Sequence, residues 1–169
     1  MAYELWANAR VNDSLRSAKS NLEHGGASAE APALIKAGEI WAHVQCARAI
    51  WLYRLGAGEP PAELFPRWSA DRAITHCDEM DKAWPAYLAT LSEQDLPVVR
   101  QYKTTEGLAK STVLSDILIH VFNHSTYHRG QIARLVTDCG GNVLLHVGRV
   151  GADGNEVSLR GVAAGGGFG

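Results

Sequence analysis

The sequence predicts an all-α protein: a four-helix bundle with a short extended link before its fourth helix and a Gly-rich, non-helical C-terminal tail. Three observations carry that prediction. Apolar residues recur at steps of three and four through most of residues 3–140. The breaks between these stretches hold the Gly and Pro residues that end helices. Beyond them the composition changes, residues 140–169 holding ten of the seventeen glycines. Helices of roughly 20 residues with connections of moderate length pack as an antiparallel bundle. The expected division is a bundle over 1–140 and a tail over 141–169.

The first helix, over 3–23, places Leu5, Trp6, Ala9, Leu15, Ala18 and Leu22 on its apolar stripe, and Gly25 and Gly26 in "EHGGAS" stop it. Pro32 suits the opening of a second helix, which runs to about Leu55 with Ala33, Ala37, Ile40, Val44, Ala47 and Trp51 on one face. "GAGEPPAELFP" forbids regular helix. Ser69 caps a third helix reaching about Leu91, with Ile74, Cys77, Trp84 and Leu88 inward and a kink or break at Pro85. "PVVRQYKTTEG" alternates Val98, Arg100 and Tyr102 before a Gly turn, a hairpin-like link. Ser111 or Thr112 then opens the fourth helix, which ends at Gly140-Gly141. In the tail a hairpin is expected around Asp153-Gly154, with His146 an ordinary strand residue and "AAGGGFG" frayed.

Composition narrows the partners. Sixteen basic and eighteen acidic residues give a formal charge of −2 and form no basic stripe, so nucleic acid is not expected. No apolar run approaches the roughly 20 residues that span a bilayer, and "MAYELWANAR" lacks the order of a signal peptide. A cytoplasmic protein is expected. Cys46, Cys77 and Cys139, odd in number and far apart, suit reduced thiols.

The chemistry concentrates in "HVFNHSTYHRGQ", where His120, His124 and His128 stand at strict four-residue spacing. Residues four apart on a helix lie about 6 Å from each other, so adjacent imidazoles can share one ion. His120 and His128 lie about 12 Å apart along the axis and cannot. Measured from the apolar face (Leu114, Ile117, Leu118, Val121, Ile132, Leu135, Val136), His128 sits at about 30°, His124 at about 70° and His120 at about 110°. His124 and His128 therefore look into the bundle, and His120 is the spare. His43, about 60° from Ile40 on the second helix, supplies a third imidazole. A hydrogen-bonded core pair is the competing reading, but two polar rings on one buried stripe need partners. His24 and His76 fall at a helix end and on an outer face.

These residues resemble the DinB/YfiT family of bacterial metal-binding bundles. "HVFNHSTYHRGQI" is similar to its fourth-helix signature, "YELWANARVNDSL" to its first helix and "IWAHVQCARAIWLYRL" to its second. The tail after Gly141 does not look like the family's usual ending. The resemblance implies an up-down-down-up bundle, commonly a homodimer, with zinc or nickel held by His43, His124 and His128. It also implies low-molecular-weight thiols as cosubstrates.

Three neutral imidazoles leave coordination positions open, the pattern of a catalytic rather than a structural zinc. The expected activity is that of a metal-dependent thiol S-transferase, in which a small thiol binds as thiolate and attacks an electrophile. A metal-dependent hydrolase, or a non-catalytic dimeric metal-binding bundle associated with stress, stands as the alternative. Asn123, Tyr127 and Gln131 could orient the ligands, and Arg129 could hold a carboxylate of the thiol, against a plain ion pair with an acidic surface group. Trp6 and Asn8 read as core and helix-contact residues. Other motifs are missing: helix four has no glutamate for a Glu-x-x-His di-iron site, and neither His-Glu-x-x-His nor G-x-S-x-G occurs.

Overall fold

The computed structural model describes residues 1–25, 31–139, 149–150 and 156–157. Four long helices dominate: α1 (Ala2–His24), α2 (Pro32–Arg54), α3 (Ala70–Leu88) and α4 (Leu114–Asp138). A hairpin of β1 (Val99–Lys103) and β2 (Ala109–Val113) precedes α4, its register pairing Val99 with Val113 and Lys103 with Ala109. In the tail, β3 (Arg149–Val150) pairs antiparallel with β4 (Glu156–Val157). His146, Asp153-Gly154 and "AAGGGFG" lie outside the described residues.

Side-chain pairs fix the directions of the helices. Asn8 meets Asp81 while Lys19 meets Asp71, so α1 and α3 are antiparallel. His43 meets His128 while Trp51 meets His120, so α2 and α4 are antiparallel. Gly38 faces Ala70 while Arg48 meets Asp81, so α2 and α3 run the same way. The topology is up-down-down-up. Parallel neighbours demand a connection that travels back along the bundle, which is what the Pro-rich segment after α2 provides.

Local chemistry explains the ends. Pro32 occupies the first turn of α2, where its missing N–H costs nothing. The Ser69 side chain accepts from the Arg72 N–H at 3.3 Å and starts α3. Pro85 does not break α3, which continues to Leu88 and ends there, short of Leu91. The start of α4 also differs from expectation. Ser111 and Thr112 pair with Gln101 and Arg100 in the hairpin, so the helix opens at Leu114.

Two apolar clusters fill the bundle. Val11, Leu15, Ala18, Leu34, Trp41, Ile132 and Val136 are buried at one end. Leu52, Trp84, Leu114, Ile117 and Val121 are buried at the other. Between them a polar belt crosses all four helices. Arg129 donates to both Glu4 carboxylate oxygens, at 3.0 and 2.7 Å, and to Asn8 Oδ1 at 3.1 Å. Asn8 and Arg48 both donate to Asp81 Oδ1, and Arg48 also donates to Gln45. The inner face of α1 is therefore Glu4, Ala7, Asn8, Val11, Asn12, Ser14, Leu15 and Ala18. Leu5 and Trp6 are half-buried and Ala9 is exposed, a rotation from the predicted stripe. Among the described residues, no helix is long and apolar enough to cross a membrane.

Candidate metal centre

At the level of the polar belt, α2 and α4 bring His43, His124 and His128 together. Because the two helices are antiparallel, His43 packs against two successive turns of α4. Its Nε2 lies 3.2 Å from His124 Nε2, and His128 Nε2 lies 3.1 Å from the same atom. One ligand atom from each ring falls within 4.8 Å of the others. Tetrahedral zinc with Zn–N bonds of about 2.0–2.1 Å requires neighbouring nitrogens about 3.3 Å apart. Two of the three nitrogen pairs stand close to that spacing.

The opposite nitrogens decide which atoms face the centre. His43 Nδ1 is 2.7 Å from the Leu64 carbonyl oxygen, which can only accept, so that nitrogen carries the proton. His128 Nδ1 donates to Gln131 Oε1 at 2.8 Å. In neutral rings this leaves the Nε2 lone pairs of His43 and His128 turned toward His124. One N–H on His124 could satisfy one of them, not both. A cation at their centre satisfies all three, and the outer hydrogen bonds are of the kind that orient metal-bound imidazoles. The donor set fits a divalent ion.

Electrostatics favours the same state. The His124 pKa is pushed down to about 4, first by burial and then by positive charge on His128, His43 and His120. Burial also lowers that of His43, against the raising effect of the Leu64 carbonyl. Both rings are therefore neutral and ready to coordinate at pH 7.

The surroundings come from α2, the connection after it, β1 and α4. Phe65, in the connection after α2, stacks on His43 with ring centres 4.3 Å apart and planes 7° from parallel. A cavity of about 470 Å³ opens beside the cluster, with His43, His128 and Gln131 in its wall together with Lys36, Glu39 and Arg67. On the other side, Trp51 stands against Tyr102 of β1 and against His120, with Arg54 over both aromatic rings.

The fates of the remaining sequence candidates differ. His120 is exposed, its ring centre 6.0 Å from that of His124. Gln131 orients His128, and the Tyr127 ring stands 5.1 Å from it while largely exposed. Arg129 is not brought to the cluster's open cavity. It is buried, and its guanidinium nitrogens bond Glu4, Asn8 and Thr126. Its acidic partner is a core residue, not the surface group expected of a plain ion pair. His24 bonds the Ser20 carbonyl and His76 stacks on Trp68. Sequence reasoning missed Leu64, Phe65 and Arg67. A main-chain carbonyl leaves no mark in side-chain patterns, although the crowding of Pro60, Pro61 and Pro66 signalled a constrained segment.

An up-down-down-up helical bundle with imidazoles converging from its second and fourth helices defines a class of bundles able to hold a metal ion on three histidines. The sequence model of the DinB family matches residues 6–146. The chain belongs to the DinB family. It is similar to Protein DinB of Bacillus subtilis (strain 168), with 24% identity over 148 residues, covering 82% of this chain and 83% of that protein. The crystal structure of a DinB-like protein from Bacillus cereus ATCC 10987 matches with a TM-score of 0.58 and 20% identity, covering 84% of this chain and 93% of that one. At that identity the structural likeness concerns the fold.

Proposed function

We propose that the histidine cluster is a zinc or nickel centre serving thiol S-transfer, in which a low-molecular-weight thiol, bound as thiolate, attacks an electrophile. The observation that carries this reading is the convergence of three Nε2 atoms, two of them on rings whose Nδ1 atoms are held by Leu64 and Gln131. A divalent ion on three neutral imidazoles keeps its full charge and open positions, and so lowers the pKa of a coordinating thiol or water.

The protein's own thiols are poor candidates for the nucleophile. Burial pushes Cys46 up to about 11 and Cys77 up to about 12 and raises Cys139 as well, so none of the three is ionised near neutrality. The nucleophile then comes from outside, through the cavity beside His43 and His128. Homodimeric assembly is part of the same proposal and is read by sedimentation.

The test is elemental analysis of the wild type and His124→Ala, together with turnover of a model electrophile by several small thiols with and without added Zn²⁺ or Ni²⁺. Stoichiometric metal in the wild type, its loss in the variant, and turnover needing both thiol and ion are expected. Retained metal in His124→Ala overturns the ligand assignment. Thiol-independent hydrolysis moves the reading to a hydrolase. A metal-linked rise in melting temperature without turnover gives the ion a structural part.

A further inference from the structure

The cavity beside the histidines does not end at Arg67. A second cavity, of about 510 Å³, adjoins it and shares Glu39 and Arg67, continuing past Trp68 to Lys19 and Asp71 at the start of α3. The groove thus runs from two of the clustered imidazoles, past Arg67, to the far end of the connection after α2.

Three cations line it, and two are already matched. Lys36 pairs with Glu39 at 3.3 Å and Lys19 with Asp71 at 2.6 Å. Arg67 has no carboxylate partner among the described residues, although it stands where the two cavities meet. Its place in the chain is anchored on both sides. Pro66 is fully buried, and Trp68 stacks on His76 with the Arg72 guanidinium over its own ring. The segment also touches the metal centre, through the Leu64 carbonyl and the Phe65 ring. A planar, permanently charged guanidinium on an anchored segment suits bidentate recognition of a carboxylate or a phosphate.

We propose that Arg67 is the anion-recognition residue of this groove and selects ligands that carry a carboxylate or phosphate away from their metal-binding atom. The inference rests on the metal-dependent thiol reading for what occupies the histidine end. The anionic end is set by Arg67 and can be tested by itself.

The first arm uses full-length His124→Ala without metal and follows the Arg67 Nε–H resonance by NMR as mercaptosuccinate or inorganic phosphate is added. A saturable shift is expected, and the anion that produces it at lower concentration identifies the source of the charge. No movement with either overturns the proposal, whatever becomes of the metal centre. The second arm compares 4-mercaptobutyrate, mercaptoethyl phosphate and neutral mercaptoethanol in the Zn²⁺-loaded wild type, Arg67→Ala and Arg67→Glu. The wild type should prefer an anionic thiol by about tenfold, given a charge-assisted contact discounted for solvent exposure. That preference should vanish in Arg67→Ala and reverse in Arg67→Glu, with metal content unchanged. An undiminished preference in Arg67→Ala overturns the proposal. Loss of metal from the wild type itself fails the metal reading alone, because the first arm still stands.

Discussion

Replacing Glu4 with alanine should be among the most damaging single changes in this chain. Glu4 and Arg129 are 5% and 3% exposed, and the carboxylate takes two hydrogen bonds from the guanidinium. Without it, Arg129 keeps Asn8 Oδ1 and Thr126 Oγ1 as acceptors and loses its counter-charge. Stranding one member of a buried ion pair costs about 3–5 kcal/mol, a large share of the roughly 5–15 kcal/mol that holds a domain together. At about 2–4 °C per kcal/mol for this size, the melting temperature should fall by about 6–20 °C. Replacing both partners, as Glu4→Met with Arg129→Met, removes both desolvation costs. The double variant should be more stable than Glu4→Ala. Urea titration followed by circular dichroism measures each corner of the cycle. A loss below about 1 kcal/mol for Glu4→Ala, against the expected buried-pair cost, would mean that the guanidinium reaches solvent and that the belt is not sealed.

Three further outcomes follow from the site and its frame. Gln131→Leu removes the acceptor for His128 Nδ1 and should weaken metal affinity by about 10–100-fold with the fold intact; competition with a chromophoric chelator reads this, and unchanged affinity would show that the ring is held by other means. The lowered pKa of His124, about 4 folded against 6.5 as its ordinary value, sets the sign of a pH effect. The unfolded chain takes up that proton first, so metal-free stability is whole above 6.5 and is lost as the pH falls toward 4. Urea midpoints in chelator should therefore decline more steeply in the wild type than in His124→Leu, and parallel profiles would contradict the buried neutral ring. Gly38→Ala would place a Cβ 2.9 Å from the Ala70 nitrogen, where α2 crosses the start of α3. Overpacking of about 1–3 kcal/mol should outweigh the roughly 1 kcal/mol gain in helix propensity, and a stabilised variant would refute the close approach.

The bundle was legible because its helices announce their ends chemically: Pro32 and Ser69 at starts, Gly25 just past an end. The histidine cluster was legible because a helical wheel fixes direction, and it separated His124 and His128 from His120 before any packing was known. The inner face of α1 was not. Apolar periodicity chose Leu5, Trp6 and Ala9, whereas the face that turns inward carries Glu4, Asn8 and Asn12. Those residues are buried because each finds a partner on another helix, Arg129, Asp81, Asp78 or the Trp41 indole. No reading of a single helix can see such partners. For the same reason Arg129 resembled a ligand-binding residue from its place beside His128. The opening of α4 was misplaced because Ser111 and Thr112 are reasonable caps that long-range strand pairing claims instead.

The return path imposed by two co-directional helices has an evolutionary consequence. The oxygen that it offers to His43 belongs to the main chain, so any amino acid at position 64 can supply it. Drift in this stretch can therefore recast what the groove admits while the hold on the His43 ring persists. Grafting residues 56–68 from one relative onto another should transplant selectivity and leave the helices untouched.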